Sequence, residues 1–127
     1  MSAKISIDFE VSGLPPLLLN SRGHWRKMHK LKREWYERVA WAVKNQRPPV
    51  PCHKATIIFV RKSSVEPDYT NLVSSFKWIE DGLTLAGVIF SDHPSCVGVP
   101  TYRWSRAPRG KGSVFVSVQG EWDPRQP

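Results

Sequence analysis

The sequence predicts one small domain of the α/β (α+β) class, in which two main helices pack on a mixed sheet and the elements run in the order β-α-β-α-β-β. Three observations predict it. At 127 residues the chain has the length of one domain. Segments of period-two hydrophobicity alternate with segments of helical period. An apolar share of 40% with six Trp supplies a real, if small, core.

Lys4-Ile5-Ser6-Ile7-Asp8-Phe9-Glu10-Val11 alternates strictly and reads as a half-buried strand, ended by the segment from Gly13 to Pro16. Between 27 and 45, Met28, Leu31, Trp35, Val39 and Ala42 recur every three or four positions. That spacing predicts an amphipathic helix with its cations on the other face. Arg47-Pro48-Pro49-Val50-Pro51 breaks it. Ala55-Thr56-Ile57-Ile58-Phe59-Val60 is β-branched and predicts a central strand. Leu72, Phe76, Ile79 and Leu83 form the core stripe of a second helix over 70–86, with Gly87 as its stop. Residues 96–106 and 113–120 read as two strands of a hairpin with a basic tip at Pro108-Arg109-Gly110-Lys111-Gly112. The domain is expected over 1–121, followed by a loose tail at 122–127.

Residues 1–10 lack the basic-then-apolar pattern of a signal peptide, and no apolar run approaches transmembrane length. Cys52 and Cys96 are too few for a disulfide framework and lack metal-type spacing. The expectation is a soluble cytoplasmic protein with reduced thiols and no membrane partner.

Charge is unevenly spread. The chain carries +8, and the stretch 22–47 alone holds nine Lys or Arg against two acids. Arg103, Arg106, Arg109 and Lys111 form a second basic cluster. Two separated basic segments suggest a surface that follows a nucleic-acid backbone; the plain alternative is a solvated helix face and a basic turn. Between them lies an acidic island. Glu66, Asp68, Glu80, Asp81 and Asp92 face a single cation, Lys77. Carboxylates concentrated in a basic chain suit a metal-dependent enzyme that acts on a polyanion.

Thr70, Ser74, Lys77 and Asp81 are spaced to share one polar stripe of the second helix. Asp68 precedes that helix and Asp92 follows it, so packing is expected to bring the two together at one mouth, with Lys77 and Asp81 on the facing wall. Converging carboxylates can hold Mg²⁺ and leave room for water and phosphate oxygens, while a neighbouring Lys stabilises developing charge. Plain readings stand beside these. Asp68 and Thr70 are favoured N-caps. Lys77 and Asp81 make an ordinary i,i+4 pair, worth about 0.2–0.5 kcal/mol. Asp92, within Phe90-Ser91-Asp92-His93-Pro94, suits a turn. Trp25, between His24 and Arg26, is placed to stack on an unpaired base, whereas Trp35 falls on the apolar stripe.

The ordered set Asp68, Asn71-Leu72, Lys77, Asp81-Gly82-Leu83, Gly87 and Asp92 resembles the RusA-type Holliday junction resolvases. Their pattern is Asp-x-Asp-Asn-Leu, a downstream Lys, Asp-x-Leu, Gly and Asp-Asp. Pro15-Pro16, Asn20-Ser21-Arg22 and His24-Trp25 resemble the family's opening. The likeness covers about residues 5–120, and its specific part is 67–92. Two positions depart from the pattern: Thr70 and Ser91 stand where the family has Asp. The family's commonest Lys spacing falls nearer Ser74, and Lys77 is the candidate because it alone is available.

The resemblance implies a phage- or prophage-like, Mg²⁺-dependent endodeoxyribonuclease, with Mn²⁺ as an alternative metal, that resolves four-way junctions in DNA recombination and repair. Asp68 and Asp92 would be the principal ligands, with Asp81 and Thr70 assisting, Lys77 stabilising the phosphate and Asn71 shaping the loop. Arg22, His24, Trp25, Arg26, Lys27, Lys30 and Arg33, with Arg103, Arg106, Arg109 and Lys111, would bind the DNA arms. Symmetric cuts on two strands imply a homodimer. A second class of function is a branched- or duplex-DNA-binding protein that does not cut, with a metal site weakened at Thr70 and Ser91. A third is an RNA-binding or regulatory domain in which the acidic island is a solvated helix end.

Overall fold

β1 (Ala3–Ser12) and β4 (Ser113–Trp122) pair antiparallel over their whole length, from Ala3 opposite Trp122 to Ser12 opposite Ser113. The computed structural model describes residues 2–17 and 25–125. β2 (Lys54–Ser63) runs antiparallel along the other side of β4, and β3 (Thr101–Arg106) lies parallel to β2 at the far edge. The order β1-β4-β2-β3 makes a four-stranded mixed sheet. As its β-branched composition predicts, β2 is interior.

Strand alternation sets the core. Ile7 and Phe9 of β1, Ile57 and Phe59 of β2, and Val114, Val116 and Val118 of β4 are buried and share one face by register. α1 (Trp25–Val43) lays Trp35, Val39 and Val43 on that face. Trp35 is core, as its place on the stripe predicts. α2 (Tyr69–Ser74) adds Leu72, α3 (Lys77–Leu85) adds Ile79 and Leu83, and α4 (Pro94–Val97) adds Cys96 and Val97. The domain is thus α+β, with its helices on one face of the sheet. Among the described residues no helix is long and apolar enough to cross a membrane.

Three local expectations need correction. The expected helix over 70–86 is broken at Ser75 and Phe76. Ser74 and Ser75 donate their hydroxyls to the carbonyls of Asn71 and Leu72, and Phe76 turns out of helical geometry at φ −97°, ψ 1° to bury its ring. The expected strand over 96–106 begins only at Thr101, because Pro94 and the His93 cap start α4 first. The expected hairpin does not form: β2 lies between β3 and β4. The connection 107–112 therefore crosses the end of β2, with Ala107 N–H on the Ser63 carbonyl. At the C-terminus β4 runs on through Trp122, and Arg125 folds over the Asp123 carboxylate.

Gly82 sets the approach of α3 to α1: a Cβ there would lie 3.2 Å from the Val39 side chain. This contact brings the basic helix beside the acidic segment.

Candidate functional site

Asp68 caps α2. Its carboxylate accepts from the Asn71 backbone N–H at 2.9 Å and from Asn71 Nδ2 at 3.0 Å. The plain N-cap reading therefore describes its local role, and both oxygens serve α2. Asn71 is buried, and its Oδ1 has no hydrogen-bond partner among the described residues. Thr70 is exposed on the first turn.

Beyond the break, Lys77 opens α3 and its Nζ lies 3.1 Å from Asp81 Oδ1, the i,i+4 contact that helical spacing predicts. The same ammonium lies 2.9 Å from Asp92 Oδ2. Asp92 reaches it because the chain turns back after α3. Gly87 adopts φ +80°, a left-handed turn that glycine takes readily. Cys52 then pins the returning segment through its N–H to the Val88 carbonyl and its carbonyl to the Phe90 N–H. Lys77, Asp81 and Asp92 thus meet around one cation position. The stripe that was to include Thr70 and Ser74 stops at the break between α2 and α3.

Two residues without a sequence-derived role complete this wall. Glu80 is half-buried, and Tyr102 Oη donates to its Oε2 at 3.3 Å. Tyr102 is itself held by stacking on Phe59, with ring centroids 5.3 Å apart. Burial raises the Glu80 carboxyl above its ordinary value, and the nearby Asp92 and Asp81 charges add to the rise. Asp92 is held below its ordinary value by the Lys77 hydrogen bond and charge. Lys77 is raised, chiefly by the hydrogen bond to Asp92, against the cost of its partial burial. Glu80 is one of the five acids of the island, but its spacing gave no sign of its partner on β3. Tyr102 had no local signal, since it is 22 residues away on another strand.

A pocket of about 270 Å³ opens beside the pair, lined by Asp81, Thr84, Leu85, Asp92 and Tyr36 of α1. Lys32 Nζ stands 5.7 Å from the Tyr36 ring centroid. Among the described residues no three His, Cys, Asp or Glu side chains are grouped as a metal site. Mg²⁺ commonly takes only one or two carboxylates and completes its shell with water and phosphate. Asp81 and Asp92, already converging on a cation, fit that smaller requirement.

Of the expected nucleic-acid contacts, Arg22 and His24 lie outside the described residues. Arg26, Lys27, Lys30 and Arg33 are exposed on α1, and Trp25 is 72% exposed with the Arg26 guanidinium 5.5 Å from its ring centroid. Arg103 is exposed on β3, and Arg109 and Lys111 on the crossing connection. Arg106, though exposed, is tethered: it donates to the Ser64 carbonyl at 2.8 Å and lies over Trp104. No protein-family model matches the chain, and no curated protein matches it at a significant level.

Proposed function

We propose that the chain is a RusA-type, metal-dependent endonuclease that acts on four-way DNA junctions in recombination and repair, in the cytoplasm of a bacterial cell and encoded by that cell or by its phage. The observation that carries the reading is the convergence of Asp81 and Asp92 on one cation position, beside a strongly basic helix. Asp81 and Asp92 would hold Mg²⁺, or Mn²⁺, which when bound supplies polarisation of the phosphate and an acidified water.

The chain's own residues do the rest. Lys77 keeps its proton across the neutral range and can turn from Asp92 to a phosphate or leaving oxygen. Asp68 and Asn71 order α2, and Thr70 offers a hydroxyl at the rim. The exposed cations of α1 and of the connection after β3 hold the DNA arms through phosphate contacts, with little base readout. Two cuts related by symmetry require two copies of the site, hence a homodimer.

A second reading is favoured by Lys77 itself. In a non-cutting junction binder, the ammonium that neutralises Asp81 and Asp92 would stay in place, and Thr70 and Ser91 would mark a reduced ligand set. The deciding experiment is cleavage of a labelled four-way junction beside a matched duplex, with Mg²⁺, Mn²⁺ or EDTA. Paired, metal-dependent cuts near the crossover that spare the duplex and vanish in Asp92→Asn support the nuclease. Tight junction binding without cutting in either metal overturns it in favour of the binder. Binding should weaken steeply with salt in both cases.

A further inference from the structure

One ammonium already fills the cation position of the acidic wall. Lys77 Nζ lies 3.1 Å from Asp81 Oδ1 and 2.9 Å from Asp92 Oδ2, and among the described residues no other cation pairs with either carboxylate. A divalent ion held by the same oxygens would stand beside this ammonium, and like charges at that range repel. Lys77 and a metal ion therefore compete for Asp81 and Asp92.

Lys77 keeps its place against a local preference. It is the first residue of α3, where the partial positive charge of a helix start disfavours a cation, and Phe76 ahead of it supplies no side-chain cap. The two carboxylates are what hold it there. Its side chain is also 54% exposed, so a second anion can reach the ammonium from solvent. The mouth of the site opens toward α1: Tyr36 lines the same pocket as Asp81 and Asp92, with the Lys32 ammonium over its ring.

We infer that Lys77 is an internal counter-ion that closes the metal site until a DNA phosphodiester draws its ammonium away, so that the chain takes up its divalent ion together with DNA. DNA held on the cations of α1 brings phosphates to the pocket mouth. Lys77 then exchanges two carboxylates for phosphate oxygens, a charge-assisted pairing of the same kind. Asp81 and Asp92 are left with two negative charges and no counter-ion, the state that binds a divalent cation best. The coupling is reciprocal: the ion tightens DNA binding by the factor by which DNA tightens the ion. All three side chains are partly solvated, which puts that factor at the low end of the usual range, roughly tenfold. Away from DNA the site stays neutralised by its own lysine.

The inference rests on the proposed function for its metal and its DNA, but its test reads binding and not cutting. Bound Mn²⁺ is measured by loss of the free-ion electron paramagnetic resonance signal, with and without a four-way junction. The proteins are the wild type, Lys77→Met, and Lys32→Met, which removes a cation that lies over the Tyr36 ring rather than on either carboxylate. Asp92→Asn with the same junction gives the Mn²⁺ held by DNA itself. Circular dichroism checks folding, and the wild-type comparison needs no variant. The expected result is weak Mn²⁺ binding by the wild type alone, tightened roughly tenfold by the junction. Lys77→Met should bind Mn²⁺ that tightly without DNA and gain little from the junction, while Lys32→Met behaves as the wild type. A wild type that binds Mn²⁺ equally well with and without the junction overturns the inference and leaves the nuclease reading standing. So does a Lys77→Met protein no tighter than the wild type in the absence of DNA. Mn²⁺ bound by none of the proteins, with or without junction, overturns the metal site and the nuclease reading with it. Coupling without junction cleavage counts against the nuclease alone.

Discussion

The Lys77 ammonium lies 2.9 Å from the Asp92 carboxylate, joining the first turn of α3 to a loop 15 residues further along the chain. The contact closes the acidic segment on itself and sets the charge state of the site. Removing it has a directional consequence. In Lys77→Met the Asp92 carboxyl should titrate upward, toward its ordinary value, in a carbon-13 NMR titration. A carboxylate lowered by a cation contributes stability above its ordinary range and loses it as pH falls through the lowered value. Both side chains are substantially exposed, so the stability lost near neutral pH should be under about 1 kcal/mol. On the nuclease reading, DNA cutting should vanish as well. An unchanged Asp92 titration would show that the pair does not form in solution.

Asp68 has a structural role that can be separated from its charge. Asn also caps helices well, so Asp68→Asn should cost only a few tenths of a kcal/mol, whereas Asp68→Ala should cost about 1 kcal/mol. If Asp68 is a metal ligand as well, both variants lose cutting. If it only orders α2, Asp68→Asn retains cutting. Denaturant unfolding and junction cleavage on the two proteins decide between these roles.

Glu80 should respond to pH in the opposite sense to Asp92. Its raised carboxyl means that ionising it costs the folded state stability; that cost is absent below the ordinary Glu range and grows as pH rises through the raised value. Glu80→Gln keeps an acceptor for Tyr102 and removes the charge. It should stabilise the protein at pH 8 and have little effect at pH 3.5. Thermal melts at the two pH values test this; a destabilised variant at pH 8 would mean that the ionised carboxylate makes a favourable contact.

Gly82 controls the distance between the basic helix and the acidic wall. Gly82→Leu would drive a side chain into Val39, and overpacking of this kind costs about 1–3 kcal/mol. The expected outcome is a lower unfolding midpoint and, on the proposed function, weaker junction binding, since α1 is pushed from α3. A melting temperature equal to that of the wild type would show that α1 and α3 are not in close contact.

Much of this was legible in the chain, residue by residue. The alternation around Ile7 and Phe9, the spacing of Trp35 and Val39, and the β-branched run before Arg61 mark elements that the structure contains. Lys77 and Asp81 were readable as a pair because four residues span about one helical turn. The break at Phe76 was not readable: the apolar spacing from Leu72 through Leu83 is continuous, and only burial of the Phe76 ring against Phe59 shows why the helix gives way.

By itself, then, the sequence determined the strands, the basic helix and the Lys77–Asp81 pair, because side-chain periodicity and i,i+4 reach are local properties. Only the tertiary structure decided that β4 inserts between β1 and β2, that Asp92 folds back onto Lys77, and that Tyr102 reaches Glu80. Those outcomes depend on hydrogen bonds and packing between segments far apart in the chain, where the free energy of burying one shared core, and no local preference, selects the partner.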